Sequence, residues 1–239
     1  MAEKFTFIVQ WKITLLVVLF LPLLVSLGFW QLSRAQEKQT LQQSWLAEQA
    51  LPAQHYRELL DSKHAYRRVF LEGEFHQHYW LVENKILAGK LGYHVISPFK
   101  TDLGDWILIN RGWVEASAYR EENPVLNTPQ GKHRLTGTLI KPSDSKFIEH
   151  NPELMGSWPY RLLEIDFALM ADQLNQPLEP KIVLMDADSP GALIVEWQPV
   201  NMSAEKHRAY ALQWFAMAFA LSVMWFVANT NVLKRFSND

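Results

Sequence analysis

The chain has 239 residues, enough for one or two domains, with 49% hydrophobic residues, a formal net charge of -2 and no cysteine. So small a charge leaves no electrostatic footprint for nucleic acid. The lack of thiols excludes disulfides, cysteine-based zinc sites, thiol catalysis and thiolate copper carriage, while leaving the redox compartment open.

The hydrophobic residues are concentrated at the two ends. The first run, Ile13 to Leu32, is uncharged and about 20 residues long, the length a helix needs to cross the hydrocarbon core of a bilayer. Trp11 and Trp30 flank it, roughly 29 Å apart along a helix, which suits two aromatic belts. Pro22 sits mid-span, where it is expected to kink the helix at a site membrane helices tolerate. The run exceeds a signal-peptide core, and Gly28 to Arg34 offers no small-x-small cleavage site, so it reads as an uncleaved anchor.

Ser33 to Leu60 is rich in Gln, Glu, Ala and Leu and is expected to be helical, with Pro52 interrupting the pattern. Trp30, Arg34 and Lys38 share one helical face, either as interfacial anchors or as a cationic ledge for anionic groups such as lipid phosphates.

From Tyr66 the period becomes two. Val69, Leu71 and Phe75 fall on one strand face, and Gly73 marks a bulge or a close approach. His76 and His78 share a face, but without a nearby carboxylate or third histidine no metal is assigned to them. Strands are expected at Tyr79 to Glu83, Tyr93 to Phe99 and Trp106 to Val114, joined by a turn over Ala88 to Gly92 and a hairpin through Asp102 to Asp105. Glu121 to Lys132 is a loop, and Leu135 to Ile140 resumes the strand pattern. Asp166 is placed to cap a short helix, Phe167 to Leu174. Ile182 to Met185 and Leu193 to Trp197 read as further strands; Asp186 and Asp188 could form a carboxylate pair, but Ala187 to Gly191 reads as a turn. The succession argues for an antiparallel sheet or barrel-like, β-rich α+β domain.

The second membrane-sized run follows Ser203, a candidate helix cap. No residue from Ala209 to Val227 is charged, and His207 stands just before it. At 100° per residue His207, Tyr210, Ala211, Trp214, Ala218, Leu221 and Trp225 share one side. Ala216/Ala220 and Ala218/Ser222 have the small-xxx-small spacing found between packed membrane helices. His207 and Tyr210 read as interface residues with their polar tips at the headgroups; the alternative is that His207 ligates a cofactor or pairs with a partner.

The expected organisation is therefore a tail (1–12), a first span (13–32), a β-rich domain (33–208), a second span (209–229) and a tail (230–239). Two spans put both termini on one side. Lys4 and Lys12 before the first, with Lys234 and Arg235 after the second, place them in the cytoplasm, although Arg34, Lys38, Lys206 and Arg208 lie near the opposite face. The sequence holds no G-x-S-x-G, H-E-x-x-H, P-loop or dinucleotide-binding pattern, so no catalytic residue is assigned. Arg111 ends an apolar strand, where it reads as a charge pairing at a sheet edge or as part of a functional motif. In the second reading Gly112 permits close backbone approach and Trp113 supplies an exposed ring.

Three blocks then stand out: Leu27 to Lys38, reading Leu-Gly-Phe-Trp-Gln-Leu-Ser-Arg-Ala-Gln-Glu-Lys; Gly92 to Phe99 together with Gly104 to Val114; and His207 to Trp214. In that order they resemble the surfeit locus protein 1 family, assembly factors of haem-copper cytochrome c oxidase. The resemblance covers nearly the whole chain. It implies a non-enzymatic role assisting insertion of haem a into the catalytic subunit I, beside haem a synthase, in the inner membrane. With only a short segment before the first span and no arginine in it, the chain resembles a bacterial member with a periplasmic domain. The resemblance carries over Trp30, Arg111, Gly112 and Trp113 as partner or structural positions, and His207 as the residue linked to haem. Tyr210 and Trp214 would flank a haem held there, with Arg34, Lys206 and Arg208 as candidate propionate partners if the spans pack together. The alternative is a scaffold that binds the nascent subunit through the small-residue face and never touches haem. A membrane-anchored enzyme is a third class, with no recognisable nucleophile or metal set.

Overall fold

A computed structural model of the chain describes residues 6–60, 66–119, 122–141, 158–199 and 202–231. Lys4, Glu121, Lys234 and Arg235 lie outside the described residues. The chain divides into a helical unit, Met1–Ser44 with Pro199–Asp239, and a strand unit, Trp45–Gln198. The β-rich domain between two candidate membrane helices is thus the observed architecture.

In the strand unit the elements are β1 (Gln54–His55), β2 (Arg67–Phe75), β3 (Trp80–Leu87), β4 (Lys90–Thr101), β5 (Trp106–Glu115), β6 (Lys132–Ile140), β7 (Tyr160–Leu162) and β8 (Ile182–Met185). The sheet order is β1-β2-β6-β8-β5-β4-β3-β7, and β2 also pairs with β4. The second pairing joins Gly73 to Thr101 and Phe75 to Phe99, so β2, β6, β8, β5 and β4 close into a ring. Closure removes free edges from those five strands. Gly73 is where β2 crosses β4: a Cβ there would run into the carbonyl oxygen of Lys100. The close approach expected of this glycine is what the structure shows.

Period-two alternation sorts the core. Ile107 and Ile109 of β5 enter one apolar cluster with Val69, Leu71, Phe99 and Leu135. Leu108 between them enters a second with Trp80, Ile96 and Met170. Full burial of such a side chain contributes about 1.5–3 kcal/mol. Met170 belongs to α2 (Phe167–Leu174), capped as expected: Asp166 accepts from the Leu169 amide at 3.0 Å.

Two expectations are corrected. The helix expected to Leu60 stops at Gln49, and after Pro52 the chain forms β1 and one 3-10 turn, Tyr56–Leu59. Leu193 to Trp197 is not a strand. Beyond the Asp186 to Gly191 turn the chain doubles back on β5, giving Trp113 N–H to the Ile194 carbonyl (2.7 Å) and Leu193 N–H to the Arg111 carbonyl (2.8 Å). The edge of β5 that takes β8 at Leu108 to Asn110 has only this short stretch left to offer.

In the helical unit, α1 (Trp11–Gln49) and α3 (Ala204–Ala228) are both long and apolar enough to cross a membrane. The run of α1 is unbroken through Pro22. Ser203 caps α3, its hydroxyl accepting from the Lys206 amide at 3.4 Å.

Candidate functional site

The two long helices lie antiparallel, and one stripe of covered positions on each falls at alternating spacings of three and four. On α1 these are Thr14, Val17, Leu21, Leu24, Gly28, Gln31, Ala35 and Lys38; on α3 they are Ala204, His207, Ala211, Trp214, Ala218, Leu221 and Trp225. That rhythm is the seam of a left-handed helix pair. The face read from the sequence of α3 is therefore the face turned to α1, with one exception. Tyr210 is 45% exposed and flanks the seam rather than entering it. Small residues on the seam are filled by the partner's side chains: a Cβ at Gly28 would come within 2.5 Å of the Phe215 ring, which meets Phe29 edge-on. Ala218 faces α1, whereas Ala216 and Ala220 are exposed.

Two polar pairs join the seam positions across it. Near the chain termini the Trp225 indole N–H donates to Thr14 Oγ1 at 3.0 Å, and Asn229 binds the Gln10 and Ile8 segment. At the far end His207, 9% exposed, has its Nδ1 2.7 Å from Gln31 Oε1. Among the described residues none is bonded to its Nε2. Arg208 donates to Gln39. Arg34 pairs with Glu37 at 2.7 Å and lies over the Trp30 ring, both in the open. The structure thus brings His207, Trp214, Arg34 and Arg208 to one end of the helix pair, with Trp30 and Tyr210 exposed beside them. Gln31 stands among the quoted residues of the first block, yet sequence reasoning gave it no role. Its signal is an uncharged but strongly polar side chain on the seam stripe of an apolar helix.

The second group of predicted residues sits in β5, and here the structure overturns the reading of two. Arg111 is no edge pairing. It is 1% exposed in a strand inside the sheet, and its guanidinium donates to the Gly191 carbonyl (2.8 Å), the Asn127 carbonyl (2.7 Å) and Thr128 Oγ1 (3.3 Å). It also lies 5.4 Å over the Phe75 ring. Burial pushes its pKa down from the ordinary arginine value. Trp113 is not an exposed ring. It is 6% exposed and its indole N–H donates to the Lys85 carbonyl at 2.9 Å. Gly112, with φ 115°, lies where a Cβ would meet the Ile194 carbonyl oxygen at 2.5 Å. Together these residues pin the 122–131 loop and the 191–195 segment to the barrel.

The histidine pair is packed among aromatic rings. His76 and His78 pack edge-on, His78 stacks on Trp158, and His76 Nδ1 accepts the His78 amide. Burial lowers the pKa of both, favouring the neutral rings. Among the described residues no three His, Asp or Glu side chains converge to hold an ion. Asp186 serves the expected turn and pairs with Arg68 at 2.8 Å.

Comparison with known proteins matches residues 18–219 to the model of the SURF1 family. The chain belongs to the SURF1 family. That is a family of oxidase assembly factors, not of enzymes. A SURF1-like protein of Rickettsia felis is 29% identical over 234 residues, covering 93% of this chain and 99% of its own. A SURF1-like protein of Rickettsia conorii is 28% identical over 225 residues, 90% of each. The Surfeit locus protein 1 of Mus musculus is 31% identical over 150 residues, 58% of this chain and 46% of its own. The SURF1 match runs from within α1 to within α3, so it takes in the His207 end of the seam and the whole strand unit, and stops short of the Thr14 and Trp225 end.

Proposed function

We propose that this SURF1-family protein assists insertion of haem a into the catalytic subunit I of cytochrome c oxidase, in contact with haem a synthase, and holds haem transiently at the His207 end of its helix pair. In this reading it sits in a bacterial plasma membrane with the strand unit periplasmic and both termini cytoplasmic. The observation that carries the proposal is a histidine in the first turn of a long apolar helix, with one nitrogen bonded to the neighbouring helix and the other without a protein partner among the described residues. Ionisable groups in such helices are expensive and are associated with function.

The residues present suit the group. An imidazole nitrogen is a standard axial donor, and haem, when bound, supplies its own iron chemistry. Trp214 on the seam and exposed Tyr210 offer apolar surface. Arg34, Lys206 and Arg208 supply positive charge at the same end for carboxylates. The bonds that Arg34 and Arg208 make to Glu37 and Gln39 are at the surface, where a propionate can displace them at little cost. A single histidine suits a holder that must let go.

The test is a reduced-minus-oxidised spectrum of membranes from a deletion strain, with oxidase subunit levels from the same sample. Oxidase present but short of haem a is the expected result, and normal oxidase haem and activity would reject the proposal. Purified from a host making haem a, the protein is expected to carry a Soret band that His207→Ala removes.

A scaffold reading has one observation in its favour: His207 already has a partner in Gln31, so it has a structural job without haem. Stoichiometric haem binding by the purified chain separates the two readings.

A further inference from the structure

We propose that Gln31 is the positioning residue of His207, setting its imidazole tautomer so that Nε2 carries the lone pair. This rests on the haem-holding reading only for the identity of the ligand; the tautomer itself is a property of the protein alone.

The amide oxygen of Gln31 can only accept, and it lies 2.7 Å from Nδ1 of His207. A bond between them requires Nδ1 to donate its hydrogen. In the neutral ring that leaves the proton on Nδ1 and an unshared pair on Nε2. The seam positions next to them, Gly28 and Ala35 on α1 and Ala204 and Ala211 on α3, are small and buried, and His207 is buried too, so water competes poorly for the bond. An apolar environment makes an unmet Nδ1–H costly and the bond correspondingly selective.

The chemical class of ligand follows. A nitrogen lone pair fixed in direction, with the opposite nitrogen donating to an oxygen, is the arrangement by which histidine ligates a metal centre. Here the oxygen belongs to a neutral amide rather than a carboxylate. A carboxylate would give a charge-assisted bond of roughly twice the strength, make the imidazole a stronger donor and place a charge in the span. The amide orients the ring without making it a tenacious ligand, which fits holding and release of an iron porphyrin better than permanent ligation.

The experiment uses the full chain with isotope-labelled histidine nitrogens, made in a haem-deficient host and reconstituted in nanodiscs. The His207 signals are assigned as those absent from His207→Ala. The expected wild-type spectrum shows hydrogen on Nδ1, and Gln31→Leu loses that preference while Gln31→Glu keeps it. A wild-type ring protonated on Nε2, or ring signals unmoved in Gln31→Leu, overturns the proposal. The wild-type spectrum decides alone if Gln31→Leu does not fold. Haemin titration is the second readout: Gln31→Leu is expected to bind about 10- to 100-fold more weakly, the usual effect of losing such an outer partner, and Gln31→Glu to release haemin more slowly than wild type. Equal haemin affinity in wild type and Gln31→Leu also overturns the positioning role. Failure of wild type to bind haemin rejects haem holding while leaving the tautomer result to stand or fall by itself.

Discussion

The two units solve the same problem, a polar group removed from water, in different ways. In the strand unit Arg111 is buried whole and binds backbone carbonyls of two segments far away in sequence. In the helical unit the carbonyls within each helix are largely taken by the helix itself, and only those near its end, such as Ala228 and Asn229, bind the other segment. Polar side chains there must find one another, as His207 finds Gln31 and Trp225 finds Thr14. The first arrangement holds loops onto a barrel. The second holds two helices in register and leaves one side-chain atom uncommitted. Loss of a polar partner should therefore be expensive in the strand unit and cheap, but specific, in the helical unit.

The largest expected effect tests the first half of that contrast. Arg111→Ala removes a guanidinium and strands the Gly191 and Asn127 carbonyls, at a cost of about 3 kcal/mol or more. Arg111→Lys should recover only part of this, because one ammonium cannot reach three acceptors arranged for a fork. Thermal unfolding of the full chain in detergent, followed by circular dichroism, measures both. A loss under 1 kcal/mol for Arg111→Ala would show that the loop does not depend on it.

A pH effect of intermediate size belongs to the same unit. His94 packs edge-on against Trp197, and burial, with the nearby Lys85 charge adding to it, holds its pKa down to about 4 against an ordinary 6.5. Between those values the unfolded chain binds a proton that the folded chain refuses. The contribution is present above pH 6.5 and lost as pH falls toward 4, by on the order of 2 kcal/mol. His76 and His78 add to it in the same direction. His94→Gln should flatten the fall in melting temperature between pH 7 and 5, and an unchanged slope would assign the effect elsewhere. Smaller still is the α2 cap: Asp166→Ala should cost about 1 kcal/mol by the same melts.

What the sequence disclosed follows the same division. The two long apolar helices and the seam face of α3 are legible because a long uncharged run and a single helical period are both written locally in the sequence. The strands are legible where alternation is clean, as in β5. Of the two readings of Arg111 the edge pairing fails, because its acceptors, Asn127 and Gly191, lie 16 and 80 residues away and nothing local announces that β5 is interior. Leu193 to Trp197 has strand composition but only a short free edge to pair with. Gln31 is passed over because its partner lies 176 residues further on.

The smallest expected effect sharpens the second half of the contrast. Thr14→Val keeps the shape of the seam and deprives the Trp225 N–H of its acceptor. Hydrogen bonds between membrane helices contribute about 0.6 kcal/mol on average, because the separated helices also find partners. The variant should therefore melt almost as wild type does, while the indole N–H resonance of Trp225 shifts toward that of an unbonded ring. A large destabilisation would mean that this pair carries the helix association. The polar pairs would then be the source of the unit's stability, and the apolar seam between them would be secondary. A silent indole resonance would mean that the bond is not made in the bilayer. Either result would move the contrast between the units away from how polar groups are paired and onto how the apolar side chains of Val17, Leu21, Leu24, Trp214 and Leu221 pack.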